Sequence, residues 1–431
     1  MRKIILAVNA GSSSVKVSIF AAEPDQFPVQ LAEAQVSGLT SPPAKLKYLR
    51  NGEVIVNNRA AEEFSEEGGH KNVTDQNSAF NLILSVFLSD PDLPDLPSRD
   101  SISLVCHRIV HGGDYARPQL ITDDTLHHLE DLADLAPLHN APALEIVRWC
   151  IDELSPPAKN IACFDSQFHA TIPEHIRTYA INPEVARKKG LRKYGFHGIS
   201  YSFITRAVAE YLGKDRDKVN MIALHLGSGA SACAIKAGKS WDTSMGLTPL
   251  AGLPGATRSG TLDPSLVFHY TSNVSRLSHL STSHLHLTRA EAILNLDSGW
   301  KALTGTTDFG TITKNRDSNP SMRLAFDLFA NRVANYIGSY YVALEGKVDA
   351  LVFAGGIGER SAELRREIVK LVGCLGFEID EERNEQIREE GVVVWDVGKE
   401  GENEKLKRVL VCRTDEQFEM VRMCMEEEGV W

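Results

Sequence analysis

The sequence predicts an α/β protein built from two duplicated domains, and three observations carry that prediction. A short apolar strand, a Gly/Ser turn and a returning strand open the chain at residues 4–20, and the same unit recurs at 222–240. Brief β-branched runs such as IACFD at 161–165 and ALVF at 350–353 alternate with amphipathic helical stretches, the pattern of layered strands and helices. The chain has 431 residues, more than one core of ordinary size holds, so a supersecondary unit present twice reads as duplication.

The first unit begins with IILAV, Ile4 to Val8, and returns through VKVSIF, where Val15, Val17 and Ile19 alternate with Lys16 and Ser18. Between them NAGSSSVK, Asn9 to Lys16, makes a tight turn whose glycine, hydroxyls and N–H groups suit an anion, with Lys16 adding positive charge. Residues 22–65 read as polar and turn-rich, with a strand pair at Lys45–Leu49 and Glu53–Val56. A helix is expected over Ser78–Ser89, before the linker PDLPDLPS. SLVCHRIVHGG, Ser103 to Gly113, reads as a buried strand entering a glycine turn. His107 and His111 have the spacing of zinc ligands on a helix, but the glycine pair and β-branched neighbours argue for strand and loop.

Leu126, Leu129, Leu132 and Leu135 predict a helix that stops at Pro137, with LHNAP (138–142) as a loop before a second helix striped by Leu144, Val147, Ile151 and Leu154. IACFD puts Asp165 at the C-terminal end of a buried strand, where open α/β sheets gather ligands. Ser200 is expected to cap a helix running to Gly213. The second unit follows: IALHL, then GSGAS, then ACAIKAG, with Gly227 in the place of Gly11, His225 in that of Asn9, and matched turn lengths. Two such turns facing across a cleft would grip two ends of one polyphosphate. The long loop 242–264 carries Arg258 and Asp263, and loops of that length are usually functional. Residues 271–288, with His279, His284 and His286, read as a surface insertion. A helix over Ser321–Leu344 carries Phe326, Phe329, Val333, Tyr336 and Tyr340 on its core face. A strand at Ala350–Phe353, a glycine loop at Gly355–Gly358, a helix from Ser361 and a final strand, turn and helix complete the chain.

Composition narrows the function. A net charge of −11 argues against a nucleic-acid surface, and no apolar run reaches membrane-spanning length. The seven cysteines form no CxxC pair, which suits a reduced, cytoplasmic protein. Gly227–Ala232 fits a loose dinucleotide fingerprint and raises an NAD-linked oxidoreductase, but that fingerprint needs a helix directly after it, and ACAIKAG reads as a strand. Gly238-Lys239-Ser240 imitates the end of a P-loop, yet the earlier glycine it requires is Cys233.

Taken together, NAGSSSVK, HRIVHGG (107–113), LAPLHN (135–140), FDSQFH (164–169), YGFHGIS (194–200), HLGSGAS (225–231), DTSMGLTPL (242–250), ATRSGTLDP (256–264) and GGIGERSAELR (355–365) closely resemble acetate kinases, nearly end to end. The resemblance implies duplicated ribonuclease H-like, actin-like ATPase domains: mixed sheets flanked by helices, with the active site in the cleft between them. It implies an N-terminal domain at 1–168 plus 416–431, a C-terminal nucleotide-binding domain at 169–415, and a homodimer. The implied reaction is reversible, Mg2+-dependent transfer of the ATP γ-phosphoryl to acetate, giving ADP and acetyl phosphate, with Mn2+ able to substitute. Acetate is already ionised at neutral pH, so the difficulty is bringing two anions together, and positioning with charge stabilisation carries the catalysis.

By the same resemblance Arg108 and Arg258 flank acetate and the phosphoryl group, and His197 contacts that group in flight, with His139 and His225 lining the path. Asp165, Glu416 and Asn9 associate with magnesium, whose preference is for hard oxygen ligands. Val110, Leu138, Phe196 and Pro249 form the acetate methyl pocket. Ser12, Ser14, Lys16, Leu226, Gly227, Ser228 and Gly229 line the phosphate turns, while Gly355, Gly356, Ile357, Gly358 and Arg360 form the adenosine side, with Arg365 nearby. This chain departs from the family in Tyr201, where histidine is common, and in Ser228, Arg360 and Asp415, where asparagine is common. Ser228 and Arg360 bear on the nucleotide, which leaves pyrophosphate as an alternative donor, and Asp415 bears on magnesium; a short-chain acid kinase preferring propionate or butyrate is a close variant. An actin-like nucleotide switch explains the two turns but not Arg108, His197 and Arg258 together.

Overall fold

A computed structural model describes residues 2–11, 13–39, 42–64, 73–133, 137–154, 158–270, 276–281, 287–386, 391–400 and 407–427, with the backbone only at 133 and 137–139. The chain gathers into two units, Met1–Gln167 with Asp415–Trp431, and Phe168–Thr414.

The first unit holds strands β1 (Lys3–Ala10), β2 (Ser14–Ala22), β3 (Val29–Ser37), β4 (Lys45–Arg50), β5 (Glu53–Ala60), β6 (Ile102–Ile109), β7 (Gln119–Leu120) and β8 (Lys159–Phe164), in the order β5-β4-β3-β2-β1-β6-β8-β7. The second holds β9 (Met221–Leu226), β10 (Ala230–Lys236), β11 (Lys239–Thr243), β12 (Ala350–Ala354), β13 (Val394–Asp396) and β14 (Arg408–Cys412), in the order β11-β10-β9-β12-β14-β13. The duplication is visible here. Both β3-β2-β1-β6-β8 and β11-β10-β9-β12-β14 run as an antiparallel meander followed by two strands parallel to its first.

Strand alternation places the cores. Ile4, Leu6 and Val8 of β1 face the helices Gln76–Ser89 and Pro137–Glu153. The opposite face takes the C-terminal helix Glu416–Met425, whose Gln417 donates to the Ala7 carbonyl at 2.9 Å and accepts from Ser18 at 2.8 Å. In the second unit, helix Pro320–Ala343 buries Phe326, Phe329, Val333, Ile337 and Tyr340. Asn319 caps its start, and Pro320 occupies the first turn, where its missing N–H costs nothing.

Several expectations need correction. β3 lies inside a stretch read as turn-rich: its Ala32, Ala34 and Val36 are buried, but the intervening Glu and Gln hide the strand signal. The loop expected at 138–142 is helical, because Pro137 opens the helix and the chain tolerates Pro142 within it. Ser200 is no cap; the helix runs Gly198–Tyr211 with His197 at its N-cap. Gly355–Arg360 is itself a short helix, and Ser361 caps the next one, Ala362–Leu371. The two hairpins also differ in register. Asn9 pairs with Lys16, while His225 pairs with Ser231, one residue tighter than the first turn implies. As β10 is a strand, the dinucleotide fingerprint lacks its helix. Leu135, His284 and His286 lie outside the described residues. Among the described residues no helix is long and apolar enough to cross a membrane.

Candidate active site

β1, β6 and β8 are parallel, so their C-terminal ends share one edge of the first sheet. That edge presents Asn9, Arg108 and Asp165. The docked C-terminal helix adds Glu416 at its first position, where the helix dipole favours an acid. Arg108 is the hub. Its Nη2 donates to Asp165 Oδ2 at 2.7 Å, its Nε to Asp165 Oδ1 at 3.1 Å, and its Nη1 lies 3.0 Å from Glu416 Oε2 and 3.3 Å from Asn9 Oδ1. Burial opposes the guanidinium charge, but Asp165 and Glu416 outweigh it and hold the Arg108 pKa above its usual value. Asp415 caps the same helix by accepting from the Phe418 N–H at 2.9 Å, and burial raises its pKa.

Val110 follows β6 and is half-buried. The turn it enters is pinned by Asn140, which accepts from the His111 N–H at 2.9 Å and donates to the His111 carbonyl at 3.0 Å. His107, for its part, hydrogen-bonds Asn160 at 2.9 Å. Lys16 is paired with Glu33 at 2.9 Å, and the Ser14 backbone carbonyl accepts the Gly11 N–H at 2.9 Å. Ser12 lies outside the described residues, as do the side chains of Leu138 and His139, whose backbone is helical.

The second unit gathers the histidines. His225 lies on β9. His197 has φ 60°, left-handed and unusual for a residue other than glycine, of the kind that marks functional positions. Their rings stack with centroids 4.2 Å apart. Ser231 Oγ lies 2.8 Å from His197 Nδ1, and Ser200 Oγ lies 2.8 Å from His225 Nδ1 and 2.9 Å from Thr414 Oγ1. Phe196 is buried; its carbonyl accepts from His169 Nε2 at 2.9 Å, and burial lowers the His169 pKa to about 4.

Arg258 lies across the Gly/Ser turn. A Cβ on Gly229 would stand 1.9 Å from its Nη2, so glycine is what admits the guanidinium. Arg258 Nη1 also donates to the Pro249 carbonyl at 3.1 Å, and the Ser228 carbonyl accepts the Ala256 N–H at 2.8 Å. Ser228 itself is exposed.

At the end of β12, Gly355 adopts φ 75° and packs on the end of β9. A Cβ there would fall 2.8 Å from the buried Leu226 carbonyl. Gly356 and Arg360 are exposed, Ile357 half-buried and Gly358 buried. The 1% exposed Arg365 secures this turn by donating to the carbonyls of Gly358 at 2.8 Å and Glu359 at 2.9 Å, and to Asn384 Oδ1 at 2.7 Å.

Each unit therefore brings its own set together. Asn9, Arg108, Asp165 and Glu416 meet in the first; His197 meets His225, and Arg258 meets Gly229, in the second. Sequence reasoning missed the parts played by Ser231, Ser200 and Asn140. Ser231 lies two residues beyond Gly229, on a strand directly opposite His225, a placement that only the register reveals.

Two mixed sheets with one repeated central order, each opened by a Gly/Ser hairpin and flanked by helices, define a duplicated actin-like ATPase fold. The sequence profile of the Acetokinase family matches residues 4–422. A probable acetate kinase of Chaetomium globosum is 59% identical over 465 residues, covering 100% of this chain and 99% of that protein. Among solved structures, a propionate kinase from Francisella tularensis has 31% identity and a TM-score of 0.81, covering 98% of each chain. An acetate kinase from Porphyromonas gingivalis has 32% identity and a TM-score of 0.77, covering 97% of this chain and 98% of that one. The chain belongs to the acetokinase family, and is thereby a phosphotransferase with a carboxyl group as acceptor.

Proposed function

We propose that this enzyme transfers the γ-phosphoryl group of ATP to acetate, reversibly and by direct in-line displacement, with Mg2+ as cofactor. The observation that carries the reading is Arg108, a guanidinium fixed at a strand end by Asp165 and Glu416. A rigid donor of this kind neutralises an anionic acceptor without reorganising as the reaction proceeds. Arg258 and the Nε2 side of His197 supply further donors for phosphoryl oxygens, and no general base is required because acetate is already ionised.

The magnesium requirement follows from the charges. One guanidinium between two carboxylates leaves the first cluster with a net negative charge, which repels both substrates. Asp165, Glu416 and Asn9 turn four oxygens toward the Arg108 guanidinium, hard donors of the type Mg2+ selects. Among the described residues no group of three or more His, Cys, Asp or Glu forms a metal cage. Asp165 and Glu416 would supply the one or two carboxylates that Mg2+ takes beside water and phosphate. Bound there, Mg2+ would reverse the local sign of charge and neutralise phosphate oxygens. A cytoplasmic homodimer, with Mn2+ able to replace Mg2+, belongs to the same proposal.

Propionate is the second reading, favoured by the likeness to a propionate kinase at TM-score 0.81. Hydroxylamine trapping separates the readings: acyl phosphate is measured with acetate, propionate or butyrate, each with ATP or pyrophosphate. Acetyl hydroxamate formed fastest with ATP and Mg2+ supports the proposal. Faster propionyl product changes the acceptor, pyrophosphate dependence changes the donor, and no product with any pair overturns the reaction.

A further inference from the structure

Ser231 on β10 stands between two side chains of the second unit. Its Oγ lies 2.8 Å from His197 Nδ1 and 2.5 Å from the phenol oxygen of Tyr201. Ser231 and Tyr201 are fully buried, and the Tyr201 ring is fenced by His169 at 5.7 Å and Phe168 at 6.5 Å. Burial raises the Tyr201 pKa well above its ordinary value, so the phenol keeps its hydrogen.

These contacts fix where each hydrogen goes. Among the described residues, the acceptor hydrogen-bonded to the Tyr201 hydroxyl is Ser231 Oγ. Tyr201 therefore donates to Ser231. The serine has one hydrogen of its own, and its remaining partner is His197 Nδ1. Nδ1 then accepts, and the hydrogen of the neutral imidazole resides on Nε2. The opposite order, from Nδ1–H through serine to the phenol, leaves a buried phenol hydrogen without an acceptor. An arrangement in which serine accepts from both sides strands the serine hydrogen instead. Buried donors are seldom left unmade in this way.

We infer that Tyr201 and Ser231 form a two-hydroxyl relay that locks His197 in its Nε2–H tautomer, making Tyr201 a positioning residue for phosphoryl transfer. The inference rests on the reading of His197 as a contact to the phosphoryl group. With the hydrogen on Nε2, the ring offers a donor to phosphoryl oxygens, which only accept. The other tautomer would turn a lone pair toward an anion. The left-handed backbone at His197 and the stacked His225 ring hold the imidazole in plane, so the relay has only to choose the tautomer.

The test is long-range 1H–15N correlation spectroscopy on enzyme labelled with [15N]histidine, with His197 assigned by the signal lost in His197→Gln. The wild type is expected to show a bare Nδ1 and a protonated Nε2. Tyr201→Phe keeps the ring volume and removes the first hydroxyl. It should shift the tautomer ratio toward Nδ1–H by about 10-fold, with a several-fold fall in kcat at unchanged KM for acetate. Ser231→Ala, a second variant, should abolish the preference. A wild-type hydrogen on Nδ1, or a ratio unmoved by Tyr201→Phe, overturns the relay. If the ratio moves but neither Tyr201→Phe nor His197→Gln alters turnover, the tautomer lock stands and the phosphoryl role of His197 falls.

Discussion

Arg108 grips Asp165 through two hydrogen bonds, and Asp165 is only 1% exposed. Such a pair has two consequences for any change at Arg108. The arginine is itself largely buried, with its side chain 16% exposed. Removing it strands a buried carboxylate with Glu416 close by.

Arg108→Ala is therefore expected to lower both activity and stability. Loss of a preorganised donor costs about 10²–10³ in kcat, and breaking a buried pair from one side costs about 3–5 kcal/mol. Arg108→Lys should restore part of the melting temperature but little of the turnover, because a single ammonium cannot reproduce the two-point contact. Calorimetry beside steady-state kinetics reads both. Wild-type stability in Arg108→Ala would show that the pair does not hold the fold.

Gly229→Ala separates activity from folding in the second unit. The added methyl meets the far end of Arg258, at 1.9 Å from Nη2, rather than backbone. The guanidinium can swing aside at small cost to stability. The expected result is a fall in kcat of roughly 10–100-fold, approaching that of Arg258→Ala, with Tm changed by only a few degrees. A fully active Gly229→Ala would mean that the placement of Arg258 is immaterial.

The strands and helices around the candidate site were more legible in the sequence than the contacts that support it. Ile4–Val8 and Ile222–Leu226 announced themselves because buried central strands are apolar throughout, and the helix at 320–343 because its aromatics recur at helical spacing. β3 did not, since Ala, Glu and Gln are poor strand residues and its pairing is decided by β2 and β4 on either side. The role of Ser231 was hidden by the register. A turn tighter by one residue sets it opposite His225, and no local pattern reports that. The Arg108–Glu416 contact depends on the C-terminal helix docking on the first sheet, a long-range event fixed by buried groups such as Gln417 rather than by spacing.

Stability should fall in mild acid because His169 is buried neutral. Its pKa drops from 6.5 to about 4 on folding, owing to burial, so the unfolded chain binds the extra proton between those values. Stability from this group is complete above about pH 6.5 and is lost as pH falls toward 4. At pH 5 the loss is on the order of 2 kcal/mol. Urea unfolding at pH 7.5 and pH 5 gives the slope, and His169→Gln should reduce it by that amount even though the variant is weaker at both pH values. An unchanged slope would assign the acid sensitivity to other groups.

Glu416 tests the metal half of the proposed chemistry. Its carboxylate is 15% exposed and contacts Arg108 at 3.0 Å, so it can act either as a magnesium ligand or as a prop for the guanidinium. Glu416→Gln keeps the size and removes one negative charge, leaving the Arg108–Asp165 pair in place. A ligand role predicts an apparent Mg2+ requirement raised about 10-fold, with Tm nearly unchanged because a partly exposed pair contributes only about 1 kcal/mol. A prop role predicts lower kcat and poorer acetate binding at an unaltered Mg2+ requirement. Titrating Mg2+ at saturating ATP and acetate distinguishes the two, and the second outcome would remove Glu416 from the metal site while leaving Asp165 and Asn9 to hold the ion.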